Sequence, residues 1–176
     1  MCMVTFLRHA ETNLNNDNLF CGRTDCDITL NGSNSASQLK KTKLFSEGFD
    51  TIYVSPLKRT HQTLLSIYPN TNYQIDERIN EISLGSWEGI SKLEVDQSLR
   101  KQFRLGTYTP PGAETHDEVV QRLTSFINDI DKTNYNKVLV VTHAGILRTL
   151  KQLYFPLLPE NTKNLDFITF DSKDIK

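Results

Sequence analysis

The stretch Val4-Thr5-Phe6-Leu7-Arg8-His9-Ala10-Glu11-Thr12 decides how the chain is read. A short apolar run has the pattern of a buried strand. It stops abruptly at an Arg-His pair followed by small and polar residues. In open α/β sheets ligands bind beyond the carboxyl ends of the strands, which is where these two residues would stand. Arg presents a planar fork of donors suited to a phosphoryl group, and a neighbouring His can serve as base, ligand or nucleophile. On this stretch alone, a strand ending in two solvated polar residues reads equally well. A second stretch, Lys137-Val138-Leu139-Val140-Val141-Thr142-His143-Ala144-Gly145, changes the balance. It is again a continuous apolar run that ends in His and opens into a helix.

Around these two strands the pattern alternates. Residues 10–28 are polar and Asn-rich, a long loop over a strand end. Thr29 is an N-cap candidate, and a loose stripe through Ala36, Leu39, Leu44 and Phe45 predicts one helix up to Gly48. Residues 49–55 read as a strand broken at Ser55-Pro56, and Leu57 to Tyr68 as a helix with Leu57, Leu64 and Leu65 toward the core. Residues 73–75 make a short strand. Residues 76–90 are the least periodic and hold the single Trp87. Ser91 is read as the cap of a helix reaching Arg104, with Glu94 at the capping-box position. Glu114 or Thr115 opens a stronger helix with Val119, Leu123, Phe126, Ile127 and Ile130 at helical spacing. A buried strand at 138–142, a helix at 145–154 and a late edge strand at 165–170 complete the chain. The order predicts a layered α/β domain with a mostly parallel sheet.

A length of 176 residues suits one domain spanning 1–176, long enough for a substantial core. A hydrophobic fraction of 38% and a charged fraction of 23% are those of an ordinary globular protein. The net charge of −1 gives no global field that would draw in nucleic acid or an anionic membrane. Local clusters such as Lys40-Lys41 and Arg100-Lys101 read as solvated faces. No apolar run can span a bilayer, and the N-terminus lacks a basic segment followed by a long apolar one. A cytoplasmic location is therefore expected. Cys2, Cys21 and Cys26 read as free thiols, and no second Cys or His pair completes a metal site with Cys21 and Cys26. G-x-G-x-x-G and the P-loop pattern are both absent, so nucleotide binding through those loops is unsupported.

The polar residues that end strands or open helices are Arg8, His9, Arg59, Glu81 and His143, with Asn15 in the first loop. In a parallel sheet the ends after Leu7, Val54 and Val141 would lie side by side. That would gather two arginines and two histidines, which repel one another unless an anion joins them. A dianionic phosphate is the natural guest. Transfer of its phosphoryl group needs a nucleophile and a proton source for the leaving oxygen, roles open to a histidine and to a carboxylic acid such as Glu81.

Six segments then resemble one family. Leu7 to Asn15 is similar to L-R-H-G-E-T-x-x-N of the histidine phosphatase superfamily, also called the phosphoglycerate-mutase-like family. Gly22 to Gly32 resembles its following loop and helix start, and Ser55 to Thr63 its S-P-L-x-R-A-x-x-T segment. Glu81 to Gly89 matches E-x-x-x-G-x-W-E-G, Pro111 to Thr115 matches P-G-G-E-S, and Val141 to Gly145 matches V-x-H-x-G. The six occur in the family's order. Ala10 stands in place of the usual Gly, Leu14 of an aromatic residue, Cys21 of a frequent Gln and Thr60 of Ala; none removes a charge that catalysis needs.

The resemblance implies a three-layer α/β/α sandwich, its mostly parallel sheet carrying one antiparallel edge strand. It implies His9 as the nucleophile that becomes phosphohistidine and Glu81 as acid and then base. Arg8, Asn15, Arg59 and His143 would bind the phosphoryl group, with Arg23, Cys21 and Gly22 near the substrate. No metal or cofactor is required. The substrate would be a small-molecule phosphomonoester, such as the α-ribazole 5'-phosphate taken by short members; a homodimer is left open. Mutase members carry a longer insertion after the catalytic acid that shields phosphohistidine from water. The short connection here favours a phosphatase over a cofactor-dependent phosphoglycerate mutase, and the intact His and acid weigh against a non-catalytic phospho-ligand binder.

Overall fold

The computed structural model describes residues 2–159 and 161–174. Five strands form one sheet: β1 (Met3–Arg8), β2 (Thr51–Val54), β3 (Gln74–Ile75), β4 (Lys137–Thr142) and β5 (Phe167–Asp171). Its order is β3-β2-β4-β1-β5. Four strands run parallel, and β5 pairs antiparallel with β1 at the edge. The helices are α1 (Asn13–Asn16), α2 (Leu30–Leu39), α3 (Lys43–Ser46), α4 (Lys58–Ile67), α5 (Gln97–Arg104), α6 (His116–Asp131) and α7 (Ala144–Tyr154).

The central strands are apolar on both faces because helices cover both. On one face Val4, Phe6, Val138 and Val140 pack with Leu123 and Phe126 of α6 and Ile146 and Leu150 of α7. On the other, Leu7, Leu139, Val141 and Val54 pack with Ala36 of α2 and Leu64 and Ile67 of α4. This is the three-layer sandwich. Each such side chain removed from water contributes about 1.5–3 kcal/mol, so the two clusters lock the register of β1 and β4. Leu7 lies opposite Val141, and Val141 opposite Val54. The carboxyl ends of β1, β2 and β4 therefore stop at one level, and the residues that follow them meet.

Local capping corrects several expected boundaries. The single helix from Thr29 to Phe45 is two helices. Thr29 caps α2 as expected, accepting the Gly32 N–H at 2.9 Å, but a turn follows Leu39, where the Thr42 hydroxyl donates to the Leu39 carbonyl at 2.8 Å. The loop over 10–28 contains α1, closed by a capping box in which Thr12 Oγ1 accepts from Asn15 N and Asn15 Oδ1 accepts from Thr12 N, both at 3.2 Å. Ser91 caps no helix: its Oγ accepts from Leu93 N at 3.2 Å and its backbone bridges to Leu19, while Asp96 caps α5 through the N–H groups of Ser98 (2.8 Å) and Leu99 (3.2 Å). In α4 the buried apolar positions are Leu64 and Ile67, three apart, whereas Leu65 is 40% exposed and Leu57 is half-buried. Among the described residues no helix is long and apolar enough to cross a membrane.

Candidate active site

The common ending of β1, β2 and β4 places His9, Ser55 and His143 against one another. The His9 and His143 rings lie 5.2 Å apart, and both are buried. Their hydrogen bonds differ. His9 Nδ1 meets the Ala10 carbonyl oxygen at 2.7 Å. A carbonyl only accepts, so Nδ1 carries the proton, and Nε2 of the neutral ring holds a lone pair. His143 has both nitrogens engaged. Its Nδ1 accepts from Arg59 Nε at 3.3 Å, which leaves Nε2 to donate to Ser55 Oγ at 2.6 Å. Burial pushes both imidazoles well below their usual pKa, and the Arg59 guanidinium pushes further in the same direction. Both rings are therefore neutral before an anion arrives.

Two arginines supply the missing counter-charge site. Arg8, at the end of β1, donates from Nη1 to the Thr162 carbonyl at 2.6 Å, while its buried Nε has no hydrogen-bond partner among the described residues. Arg59, on the first turn of α4, is fully buried. It spends donors on the carbonyls of Gly22 (2.8 Å) and Thr24 (2.9 Å) and on His143. Among the described residues neither arginine has a carboxylate at ion-pair distance. Buried cations left in that state are stabilised by an entering anion.

Both arginines and His9 line a cavity of about 340 Å³, together with Asn15, Glu81, Cys21 and Gly22. Asn15 turns its Nδ2 to Cys21 Sγ at 3.7 Å, and its Oδ1 also accepts from Asn164 Nδ2 at 3.1 Å. The Glu81 carboxylate accepts from the backbone N–H of Ile82 (2.9 Å) and of Gly145 (3.4 Å). A side chain at Gly145 would run into the Glu81 carboxylate and Ile82, so the glycine makes room for the acid. The segment before Glu81 is braced: Asn80 Oδ1 accepts from Glu81 N at 2.8 Å, and Arg122 donates to the carbonyls of Arg78 (2.7 Å) and Asn80 (2.8 Å).

Two sequence expectations fall outside the cavity wall. His143 stands behind Arg59 rather than on the wall. Arg23 is drawn away by Glu114, 3.2 Å from its Nη2, and by the Glu81 carbonyl, 3.0 Å from its Nε. Two further residues buttress the chain at His9 and Ala10. Asn164, far along the chain, donates to the His9 carbonyl at 3.1 Å, and Thr63 Oγ1 accepts from Ala10 N at 2.9 Å. Arg100 is not a solvated charge: it lines the cavity with Lys92, and its buried Nε lacks a partner among the described residues. Among those residues no group of three or more His, Cys, Asp and Glu side chains gathers as a metal site.

Residues 4–169 match the family described as histidine phosphatase superfamily (branch 1). Phosphoserine phosphatase 1 of Hydrogenobacter thermophilus is 32% identical over 158 residues, covering 85% of this chain and 74% of its own. The 2,3-bisphosphoglycerate-dependent phosphoglycerate mutase of Cytophaga hutchinsonii is 28% identical over 96% of this chain and 84% of its own. Among solved structures, a mycobacterial glucosyl-3-phosphoglycerate phosphatase superposes with a TM-score of 0.85 at 21% identity, over 96% of this chain and 92% of that one. With the fold, the paired strand-end histidines and a match over nearly its whole length, the chain belongs to the histidine phosphatase superfamily.

Proposed function

We propose that this chain is a phosphomonoesterase that hydrolyses a small phosphorylated metabolite through a phosphohistidine at His9. The observation that carries the proposal is a cavity lined by both His9, whose Nδ1 is engaged by a carbonyl, and Arg8, whose buried Nε has no partner among the described residues. Arg8, Arg59 and Asn15 hold the phosphoryl oxygens. His9 Nε2 attacks phosphorus as the ester P–O bond breaks, and Glu81 in its acid form gives the leaving oxygen its proton. Glu81 then takes a proton from water, whose oxygen attacks phosphorus; the P–N bond breaks and restores His9. His143, accepting from Arg59 Nε, holds that guanidinium in place.

The cavity favours a substrate with a second anionic group. Lys92 and Arg100 line it, and among the described residues neither has a carboxylate partner. Burial lowers the Lys92 pKa, and nearby Arg8 and Arg100 lower it too. Phosphoserine and phosphoglycerate esters offer a carboxylate there. A nucleoside-like monophosphate such as α-ribazole 5'-phosphate offers none, and would use only the aromatic wall of Phe20, Trp87 and Phe103. Hydrolysis rather than mutase chemistry fits the short connection after Glu81, whose one helix is the eight-residue α5.

Turnover of p-nitrophenyl phosphate by wild type and His9→Ala tests the core of this reading. Hydrolysis abolished by the substitution supports it, and no turnover in either protein points to a binder. Slow hydrolysis with fast isomerisation of 3-phosphoglycerate points to a mutase. A panel of phosphorylated metabolites, each with and without a carboxylate, then decides the substrate class.

A further inference from the structure

Residues 21–26 wrap the guanidinium on which the phosphate site depends. Beyond the Gly22 and Thr24 carbonyls, Arg59 Nη1 points at Cys26 Sγ, 3.9 Å away. The Cys26 sulfur also lies near the Thr12 side chain and near the Cys21 sulfur, whose own hydrogen bond as a donor runs to the Leu19 carbonyl at 4.0 Å. Cys21 lies on the cavity wall, touched by Asn15 Nδ2. Both thiols are partly exposed, whereas Cys2, the third cysteine, is buried in the core at 5% exposure. Two neighbouring thiols, one lining the cavity and each meeting a phosphate-site side chain, have no part in the hydrolysis proposed above.

We propose that Cys21 and Cys26 are a peroxide-sensitive dithiol whose closure to a disulfide withdraws Arg59 from the phosphate site. The hydrogen bond from Cys21, aided by the Arg59 guanidinium, brings the Cys26 thiol down to about 6, while the same hydrogen bond and burial raise Cys21. Cys26 is therefore the thiolate that attacks. Its sulfur takes the distal oxygen of a peroxide as the O–O bond breaks. Sulfur loses two electrons, and the released alkoxide or hydroxide takes a proton from solvent. The Cys21 sulfur then attacks the Cys26 sulfenic acid; the S–S bond forms, the S–O bond breaks, and hydroxide leaves with the Cys21 proton as water.

The two sulfurs must approach to about 2.05 Å to form the bond. The loop tightens between Cys21 and Cys26, and the carbonyls of Gly22 and Thr24 that fix Arg59 lie inside that loop. Cys26 also ceases to be an anion that attracts the guanidinium. Arg59 then loses its position, so oxidised protein binds phosphate poorly while His9 itself is unaltered. The loss should appear in KM more than in kcat.

The functional consequence rests on the phosphate site proposed above, and the linkage is read independently of turnover. Full-length protein is treated with hydrogen peroxide, mapped by non-reducing peptide mass spectrometry, and assayed with p-nitrophenyl phosphate and by calorimetric binding of inorganic phosphate. The expected result is a Cys21–Cys26 linked peptide with KM and the phosphate Kd raised about tenfold or more, reversed by dithiothreitol. Cys26→Ser should give a treated-to-untreated KM ratio of about one, each variant being compared with its own reduced form. Cys21→Ser should leave a sulfenic acid at Cys26 that dimedone traps. Peroxide-treated wild type without the linked peptide overturns the proposal. So does a linked protein that binds phosphate as tightly as the reduced one. A reduced protein that hydrolyses no ester would defeat the phosphatase reading alone, since the linked peptide and phosphate binding still decide the thiol pair.

Discussion

His9 and His143 follow neighbouring parallel strands, sit at the same level of the sheet, are equally buried and lie ring to ring at 5.2 Å. Their sequence surroundings are alike too, an apolar run before and an Ala after. What separates them is which ring nitrogen meets the acceptor, and the Arg59 donor that occupies the other nitrogen of His143. His9 gives its Nδ1 proton to a carbonyl one residue away and keeps Nε2 open; His143 is tied at Nδ1 by Arg59 and at Nε2 by Ser55. The pair teaches that proximity to a phosphate does not make a nucleophile. A ring becomes one when its proton is parked on the far nitrogen and the near nitrogen has nothing to hold.

Exchanging each ring for an amide is the strongest way to break this comparison. His9→Asn is expected to lower kcat by about 10³-fold or more, because no other group takes the phosphoryl. His143→Asn is expected to lower kcat/KM by about 10²-fold, with KM raised, since it loosens Arg59. Equal and total loss in both, by steady-state kinetics, would erase the distinction. Glu81→Gln sharpens it from the side of the leaving group. Turnover of alkyl phosphates should fall by about 10²–10⁴-fold while p-nitrophenyl phosphate falls far less. Gly145→Ala should reproduce that leaving-group dependence in weaker form, because its Cβ displaces the same carboxylate.

Smaller effects are expected at the brace and in pH. Ser55→Ala leaves His143 Nε2–H without its acceptor, a cost of about 1–3 kcal/mol in denaturant unfolding and about tenfold in KM. For pH, both imidazoles are held below their ordinary pKa, mainly by burial. The unfolded chain thus binds more protons than the folded one below about pH 6.5, so stability is full above that point and falls as the solution is acidified. The phosphate-free protein should lose midpoint temperature on going from pH 7 to about pH 5. Saturating inorganic phosphate should reduce the loss, because its charge offsets the arginines. A midpoint unaffected by pH in wild type would contradict the neutral-ring assignment.

Much of this was legible in the chain, for stated reasons. The runs before His9 and His143 are short but almost wholly apolar and rich in β-branched residues, so the buried strands and their shared end followed from composition and element order. Arg8, Asn15, Arg59 and Glu81 sit within short motifs, and all four line the cavity with Cys21 and Gly22. Arg23 is not in the cavity lining; its direction is set by Glu114, far away in the chain. Ser55, Asn164 and Arg122 act through side-chain hydrogen bonds across long sequence separations, which leave no periodic trace. Arg100 and Lys101 are adjacent, yet a helix turns one to the cavity and the other to solvent. The pair therefore reads as one charged face.

The central claim is that His9 Nε2 carries the phosphoryl group. Wild type mixed with phosphate-labelled substrate, quenched within milliseconds and digested at alkaline pH, is expected to yield a phosphopeptide containing His9, modified on Nε2 and absent from His9→Asn. Label on His143 or on any other residue under those conditions would contradict the account.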